Sequence, residues 1–298
     1  MNVAEYEAMY HLEDRLWWYV GMRHVAERVL DGRLERAPQG RTAPKRILDA
    51  GCGTGGNLRW LEAFGSVYGI DLSAHAIGFC RQRGLQTVAR ASVTALPYAD
   101  RSFDLITSFD VIYHLGVEDD LAALREMHRV LRPGGHLLVR VPAIPQLASH
   151  HDAAVHTRQR YTLGELREKT ERAGFEVLRA SYANTLLFPL AAIARLMARA
   201  AHGRSAFRVP RSESTADAKP GTRRQAERDS EPRSDVRPVP AALNACLKAI
   251  LDLEATLLAR VDLPLGLSAL VVGRRPPERA PSPASTRDSG LGTGNWPR

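Results

Sequence analysis

Gly51, Gly53, Gly55 and Gly56 crowd a short stretch between Asp49 and Asp71, and this grouping suits holding a ligand better than breaking a bond. Glycines remove the side chains that keep a ligand off the backbone. The amides of such a turn, with the positive end of a helix beginning near Thr54, face whatever lies above them. Gly51, Gly53 and Gly56 fit the G-x-G-x-x-G spacing that cradles a dinucleotide pyrophosphate, and Asp71 stands where an acid would hold a ribose. Asp49 points the other way. A carboxylate just ahead of the first glycine repels a diphosphate and favours a cationic ligand.

Residues able to move a proton come later in the chain. Asp110 and His114 follow a strand read at 103–108, and an unperturbed histidine titrates near neutrality, as a general base should. His150, His151, Asp152, His156, Arg160 and Tyr161 fall in one stretch beyond a strand end, where substrate contacts accumulate. A helix-capping His114 and a merely salt-linked loop are the structural alternatives. These histidines lack a further clear ligand set, so no metal is expected. Trp17, Trp18 and Tyr19 either flank a ligand with their rings or dock a helix on the core.

The elements that must position these groups alternate between two periods. Residues 5–30 read as an amphipathic helix, followed by a polar linker. From residue 46, strands at 46–49, 67–71, 87–89, 103–108, 136–141 and 175–182 alternate with helices at 57–64, 118–131 and 162–174. Ser73 is a candidate N-cap, and Thr162 with Glu165 makes a capping-box pattern. This is an α/β, doubly wound pattern with ligands at the carboxyl ends of the strands.

The run Leu48-Asp49-Ala50-Gly51-Cys52-Gly53-Thr54-Gly55 resembles motif I of the class I S-adenosylmethionine-dependent methyltransferases. Arg129-Val130-Leu131-Arg132-Pro133-Gly134-Gly135 resembles their motif III, and the whole is similar to the small-molecule, type 11 members. The resemblance implies a Rossmann-like, seven-stranded sheet in the order 3-2-1-4-5-7-6 with the last strand antiparallel, and S-adenosyl-L-methionine as cofactor. It implies cofactor contacts from Asp49, Gly51, Cys52, Gly53, Thr54, Gly55, Asp71, Leu72, Phe109 and Asp110. Ser92 stands where the family usually has an Asp for the adenine amino group, and Val93 offers its amide to the ring. A hydroxyl accepts that bond more weakly than a carboxylate. In this frame His114, His151 and His156 are the candidate bases, while Trp18, Tyr113, Asp152, Arg160 and Tyr161 wall the acceptor. No Asn-Pro-Pro-Tyr-type motif follows strand four, which disfavours a nucleobase or glutamine nitrogen as acceptor.

The strand that should pair with strand six appears only at 267–273, so a long insertion is expected. The resulting layout is an N-terminal helix or lid with its linker (1–45), the nucleoside-binding core (46–182) and a helical insertion (183–262). The last strand (263–275) and a disordered tail (276–298) complete it. The insertion reads as helices at 186–198 and 243–260 around a disordered centre at 202–239, both helices lying over the acceptor side.

The chain has 298 residues, a formal charge of +8 and three cysteines without a C-x-x-C pair, which suits reduced thiols in the cytoplasm. Neither a signal peptide nor an apolar run of membrane-spanning length is legible. The basic charge shows no Lys/Arg stripe with interleaved aromatics, which disfavours nucleic acid; the apolar insertion helices leave peripheral membrane contact open. The expected acceptor is a small molecule or a lipid- or glycan-linked intermediate, methylated on oxygen or nitrogen. The rivals are an NAD(P)-dependent oxidoreductase and a non-catalytic nucleoside-binding protein.

Overall fold

The computed structural model describes residues 3–30, 45–144, 158–190, 193 and 238–278. Its centre is a seven-stranded sheet, β1 (Lys45–Ala50), β2 (Gly65–Asp71), β3 (Val88–Arg90), β4 (Phe103–Phe109), β5 (Leu131–Pro142), β6 (Glu176–Ala183) and β7 (Ser268–Arg274). The order is β3-β2-β1-β4-β5-β7-β6, with β7 antiparallel to both neighbours, as the resemblance implied. Side chains alternate across the sheet. Ile47 joins one core while Leu48 and Ala50 join the other, so β1 is apolar on both faces and sits mid-sheet between β2 and β4.

One face is covered by α2 (Trp17–Val29), α3 (Gly56–Leu61), α4 (Ala74–Gln82) and α7 (Ala241–Leu258); α5 (Asp120–Val130) and α6 (Leu163–Arg172) cover the other. Local signals place several of these helices. The Ser73 hydroxyl caps α4, and Thr162 and Glu165 close a reciprocal capping box on α6. After α5 the chain enters β5 at once, and Gly134 takes a φ of +81° to make the turn.

Two expectations are revised. The single helix read over 5–30 is two, α1 (Val3–Leu12) and α2, separated by a turn from which the Glu13 side chain bonds the glycine turn. The described insertion helix, α7, packs on α2. A Cβ at Gly21 would lie 2.5 Å from Leu251 Cδ1, Trp17 N–H donates to Asn244 Oδ1 at 2.8 Å, and His24 bonds Asp252 at 2.5 Å. Leu243, Leu253 and Leu257 on α7 are exposed. The linker, the expected disordered centre, the tail beyond residue 278 and most of the helix at 186–198 lie outside the described residues. No described helix is long and apolar enough to cross a membrane.

Candidate active site

A cavity of about 490 Å³ opens where the strand order reverses, between the carboxyl ends of β1 and β4. Gly51, Cys52 and Gly53 form its floor, while Tyr6, Met9 and Glu13 from the α1 region and Trp18, Tyr19, Met22 and Arg23 from α2 close over it. Gly51 has a φ of +93°, and a Cβ there would lie 2.2 Å from Val111 Cγ2. Only glycine satisfies both conditions.

The amides of the turn are already engaged by the chain's own carboxylates. Gly53 N–H donates to Asp71 Oδ2 at 3.0 Å, and Gly56 N–H, at the start of α3, donates to Glu13 Oε1 at 3.1 Å. Glu13 also accepts the Thr54 hydroxyl and pairs with Arg83 at 2.9 Å. A pyrophosphate would meet two negative charges where a dinucleotide site offers bare N–H groups. Burial raises the carboxyl pKa of both Glu13 and Asp71, opposed at Glu13 by Thr54 and Arg83 and at Asp71 by the Ser73 and Gly53 amides.

Asp49 does not reach the cavity. Its carboxyl group is fully buried beneath the turn, with Oδ1 accepting from Thr107 Oγ1 at 2.8 Å and Oδ2 without a hydrogen-bond partner. Burial lifts its pKa to about 7, against the Thr107 bond. Any influence on a ligand therefore passes through the turn as a field.

Asp71 stands at one end of the cavity. Its carboxylate accepts Ser73 N–H at 2.8 Å and hydrogen-bonds the Tyr6 phenol, and it retains lone pairs for diol hydroxyls. Leu72, Ala91, Ser92, Val93 and Val117 line a slot beside it. The Ser92 hydroxyl meets Thr94 Oγ1 at 2.8 Å and accepts Thr94 N–H at 3.2 Å, so it is locally tethered.

The opposite end is walled by Phe109, Asp110, Tyr113, His114, Arg140, Arg160, Asn184 and Ser268. Asp110 adopts a φ of +58°, a strained conformation for a non-glycine residue, and is held by Arg140 Nε at 3.1 Å and by its Nη2. The Arg140 guanidinium lies between the rings of Trp18 and Phe109, 5.1 and 4.9 Å from their centroids. His114 Nδ1 accepts Gly116 N–H at 3.1 Å, which leaves the proton of the neutral ring on Nε2. Asn184 is also left-handed, at φ +59°, and buried Glu254 of α7 holds that turn by accepting the backbone N–H groups of Asn184, Thr185 and Leu186.

The cavity thus gathers Gly51, Cys52, Gly53, Asp71, Leu72, Ser92, Val93, Phe109, Asp110, Trp18, Tyr113, His114 and Arg160 from the residues singled out in the sequence. Asp49, Thr54 and Gly55 support the turn from outside the cavity lining. Tyr161 is core: its hydroxyl bonds buried Asp120 at 2.5 Å, together with Lys169 and Arg158. His151, Asp152 and His156 lie outside the described residues. Among the described residues no group of His, Cys, Asp and Glu is arranged to hold a metal. The sequence reading missed Tyr6, Glu13, Arg23 and Asn184 as cavity residues. The acidic pair Glu13-Asp14, which interrupts the helical apolar spacing, was the available signal for Glu13.

A family model described as a methyltransferase domain matches residues 48–139. A protein of Mycolicibacterium smegmatis named as a probable S-adenosylmethionine-dependent methyltransferase is 34% identical over 184 residues, covering 60% of this chain and 68% of its own. The malonyl-acyl-carrier-protein O-methyltransferase of Pseudescherichia vulneris is 38% identical over 122 residues, which is 39% of this chain and 47% of that protein. The chain spans about half or less of the length of several further curated relatives. Among solved structures, a chain from a Haloferax volcanii complex between a methyltransferase activator and a methyltransferase superposes with a TM-score of 0.52. It is 21% identical, with 93% of this chain and 96% of that one covered, a likeness of fold.

Proposed function

The chain belongs to the class I S-adenosylmethionine-dependent methyltransferases, and from that premise we propose that it methylates an oxygen or nitrogen on a small molecule, or on the exposed end of a lipid- or glycan-linked intermediate. The observation that carries this reading is the roofed cavity. About 490 Å³ is an ordinary volume for one drug-sized ligand, so with a nucleoside in place little room is left beyond a compact acceptor or the tip of a longer one.

The residues present fit the cofactor. The turn is free of side chains at Gly51 and Gly53, Asp71 offers a carboxylate to a diol, and the turn's amides are closed to phosphate by Glu13 and Asp71. S-adenosylmethionine supplies, when bound, a methyl group already activated on a sulfonium. The chain's own task is alignment and the exclusion of water. The strained Asp110, fixed by Arg140, sets the wall where β4 meets the glycine turn. Trp18 and Tyr19 cover that wall from above. Where the acceptor must lose a proton, His114 is the described candidate. It first has to release its Nδ1 from Gly116, or else it serves as a donor through Nε2.

The direct test is incubation of the protein with methyl-labelled S-adenosylmethionine and a cell extract, followed by separation of labelled products. Label in low-mass or lipid- or glycan-linked compounds is expected. Label confined to RNA or to protein side chains would overturn the reading. With the acceptor in hand, His114→Ala should lower kcat about 10²-fold or more if His114 takes the proton, and much less if it only shapes the wall.

A further inference from the structure

We propose that the Asn184 carboxamide oxygen accepts a hydrogen bond from a hydroxyl or an uncharged N–H of the molecule to be methylated, an inference that rests on the cavity being a methyl-transfer site. Asn184 directly follows β6, is 4% exposed and lines the cavity beside Leu267 and Ser268. Its backbone is committed in both directions. The N–H donates to Glu254 Oε1, and the carbonyl accepts Leu267 N–H at 3.4 Å. The side-chain Oδ1 is buried and has no hydrogen-bond partner among the described residues.

Turn geometry alone does not account for this residue. Its φ of +59° is one that glycine takes freely and that asparagine tolerates when its short side chain bonds nearby backbone. Here Oδ1 makes no such bond, so the side chain leaves a desolvated acceptor where a glycine would leave none. Nor can the turn swing to relieve it. Thr185 and Leu186 N–H donate to Glu254 Oε2 at 2.7 and 2.9 Å, and Thr185 Oγ1 donates to the Leu265 carbonyl at 2.5 Å. The carboxamide is therefore held at the cavity wall, and the group that completes it is a donor arriving with a ligand.

Position and charge narrow that ligand. Asn184 stands at the end opposite Asp71, away from the slot of Leu72, Ser92 and Val93, so the donor belongs to the methyl acceptor and not to the nucleoside. Arg140 and Arg160 line the same end, and Arg140 already pairs with Asp110. An ammonium would meet surplus positive charge there, whereas a hydroxyl or an uncharged N–H would not.

The test uses methyl-labelled S-adenosylmethionine with a cell extract as the acceptor pool, and two variants chosen around the backbone. Asn184→Gly suits the left-handed φ but removes the carboxamide. It should keep wild-type stability in urea and an S-adenosylhomocysteine dissociation constant within about twofold, while label transfer falls about 10- to 100-fold, the scale of one buried hydrogen bond. Asn184→Asp, which offers only acceptor oxygens, should recover most of that loss. Wild-type transfer in Asn184→Gly would overturn the proposal and leave Asn184 a turn residue, as would a loss of S-adenosylhomocysteine affinity in step with transfer. Transfer as slow in Asn184→Asp as in Asn184→Gly would overturn it by assigning the contact to the amide N–H groups. An identified acceptor lacking both a hydroxyl and an uncharged N–H would do the same. Absence of any labelled product with wild-type protein would instead overturn the methyl-transfer reading itself, and this inference with it.

Discussion

At the end of the cavity proposed for the nucleoside, Gly51, Asp71 and Ser92 each stand at or just past the carboxyl end of a strand, and the three strands β1, β2 and β3 follow one another in sequence and in space. At the end proposed for the acceptor, Trp18, Arg140, Asn184 and Ser268 come from distant parts of the chain and are held by contacts such as Trp17 to Asn244 and Glu254 to Asn184. The first end is fixed by local turn geometry and parallel register. The second depends on α7 docking on α2 and clasping the end of β6. A change in turn geometry should therefore abolish cofactor binding outright, whereas a change in the α2–α7 seam should spare the cofactor and damage the acceptor.

The largest effect is expected at Gly51. Gly51→Val places a branched side chain at φ +93° and into Val111, so S-adenosylhomocysteine affinity should fall at least about 100-fold by calorimetry. Affinity within tenfold of wild type would mean that the turn is not the floor of the site.

Glu254 is the corresponding point on the other side. Its removal in Glu254→Ala leaves three backbone N–H groups without their acceptor at a strained turn, and about 3 kcal/mol of stability should be lost in urea denaturation. The folded fraction should still bind S-adenosylhomocysteine. Loss of nucleoside affinity in step with stability would show that the two ends are one cooperative unit.

A milder strike at the seam is Gly21→Val, where the added side chain meets Leu251 at 2.5 Å. Overpacking of this kind costs about 1–3 kcal/mol. Turnover of the acceptor should drop while the dissociation constant of S-adenosylhomocysteine stays within about twofold. If turnover is unchanged, the seam does not position the acceptor wall.

The same contrast decides what the sequence could disclose. Gly51, Asp71, Ser73 and the Thr162–Glu165 box act within a turn or a strand end, so their residue types and spacing carry their roles. The alternating periods gave a doubly wound sheet, and its strand order was legible only through the resemblance carried by the motif I and motif III residues. Glu13, Arg23 and Asn184 act across long separations in sequence. Each looks like an ordinary polar residue on a helix face or in a loop until the chain is folded. Tyr161 shows the opposite error. Its place in a stretch beyond a strand end suggested a substrate contact, but an aromatic ring with a buried acid in reach gains more from the core. Asp49 was legible as chemistry but not as position, since periodicity does not tell whether a carboxylate sits above a turn or beneath it.

Asp49 also supplies the smallest effect, one that probes how far a buried charge reaches through the turn. Its folded pKa of about 7 lies well above the roughly 3.9 of an unfolded Asp. The folded chain therefore binds the extra proton between those values. Stability from this group is greatest below about pH 4 and is lost as pH rises through 7. A ligand cation works in the opposite sense, because it favours the ionised form and lowers the pKa. Affinity for S-adenosylmethionine should thus rise about 3- to 10-fold between pH 6 and pH 8, and S-adenosylhomocysteine, which lacks the sulfonium charge, should show a shallower rise. Glu13 and Asp71 also titrate upward of their ordinary range, and Arg140 adds a fixed positive charge, so the profile belongs to Asp49 only where Asp49→Asn flattens it. An unaltered slope in that variant would move the effect to Glu13 or Asp71, which touch the turn's amides directly, and would confine Asp49 to holding β1 against β4 through Thr107.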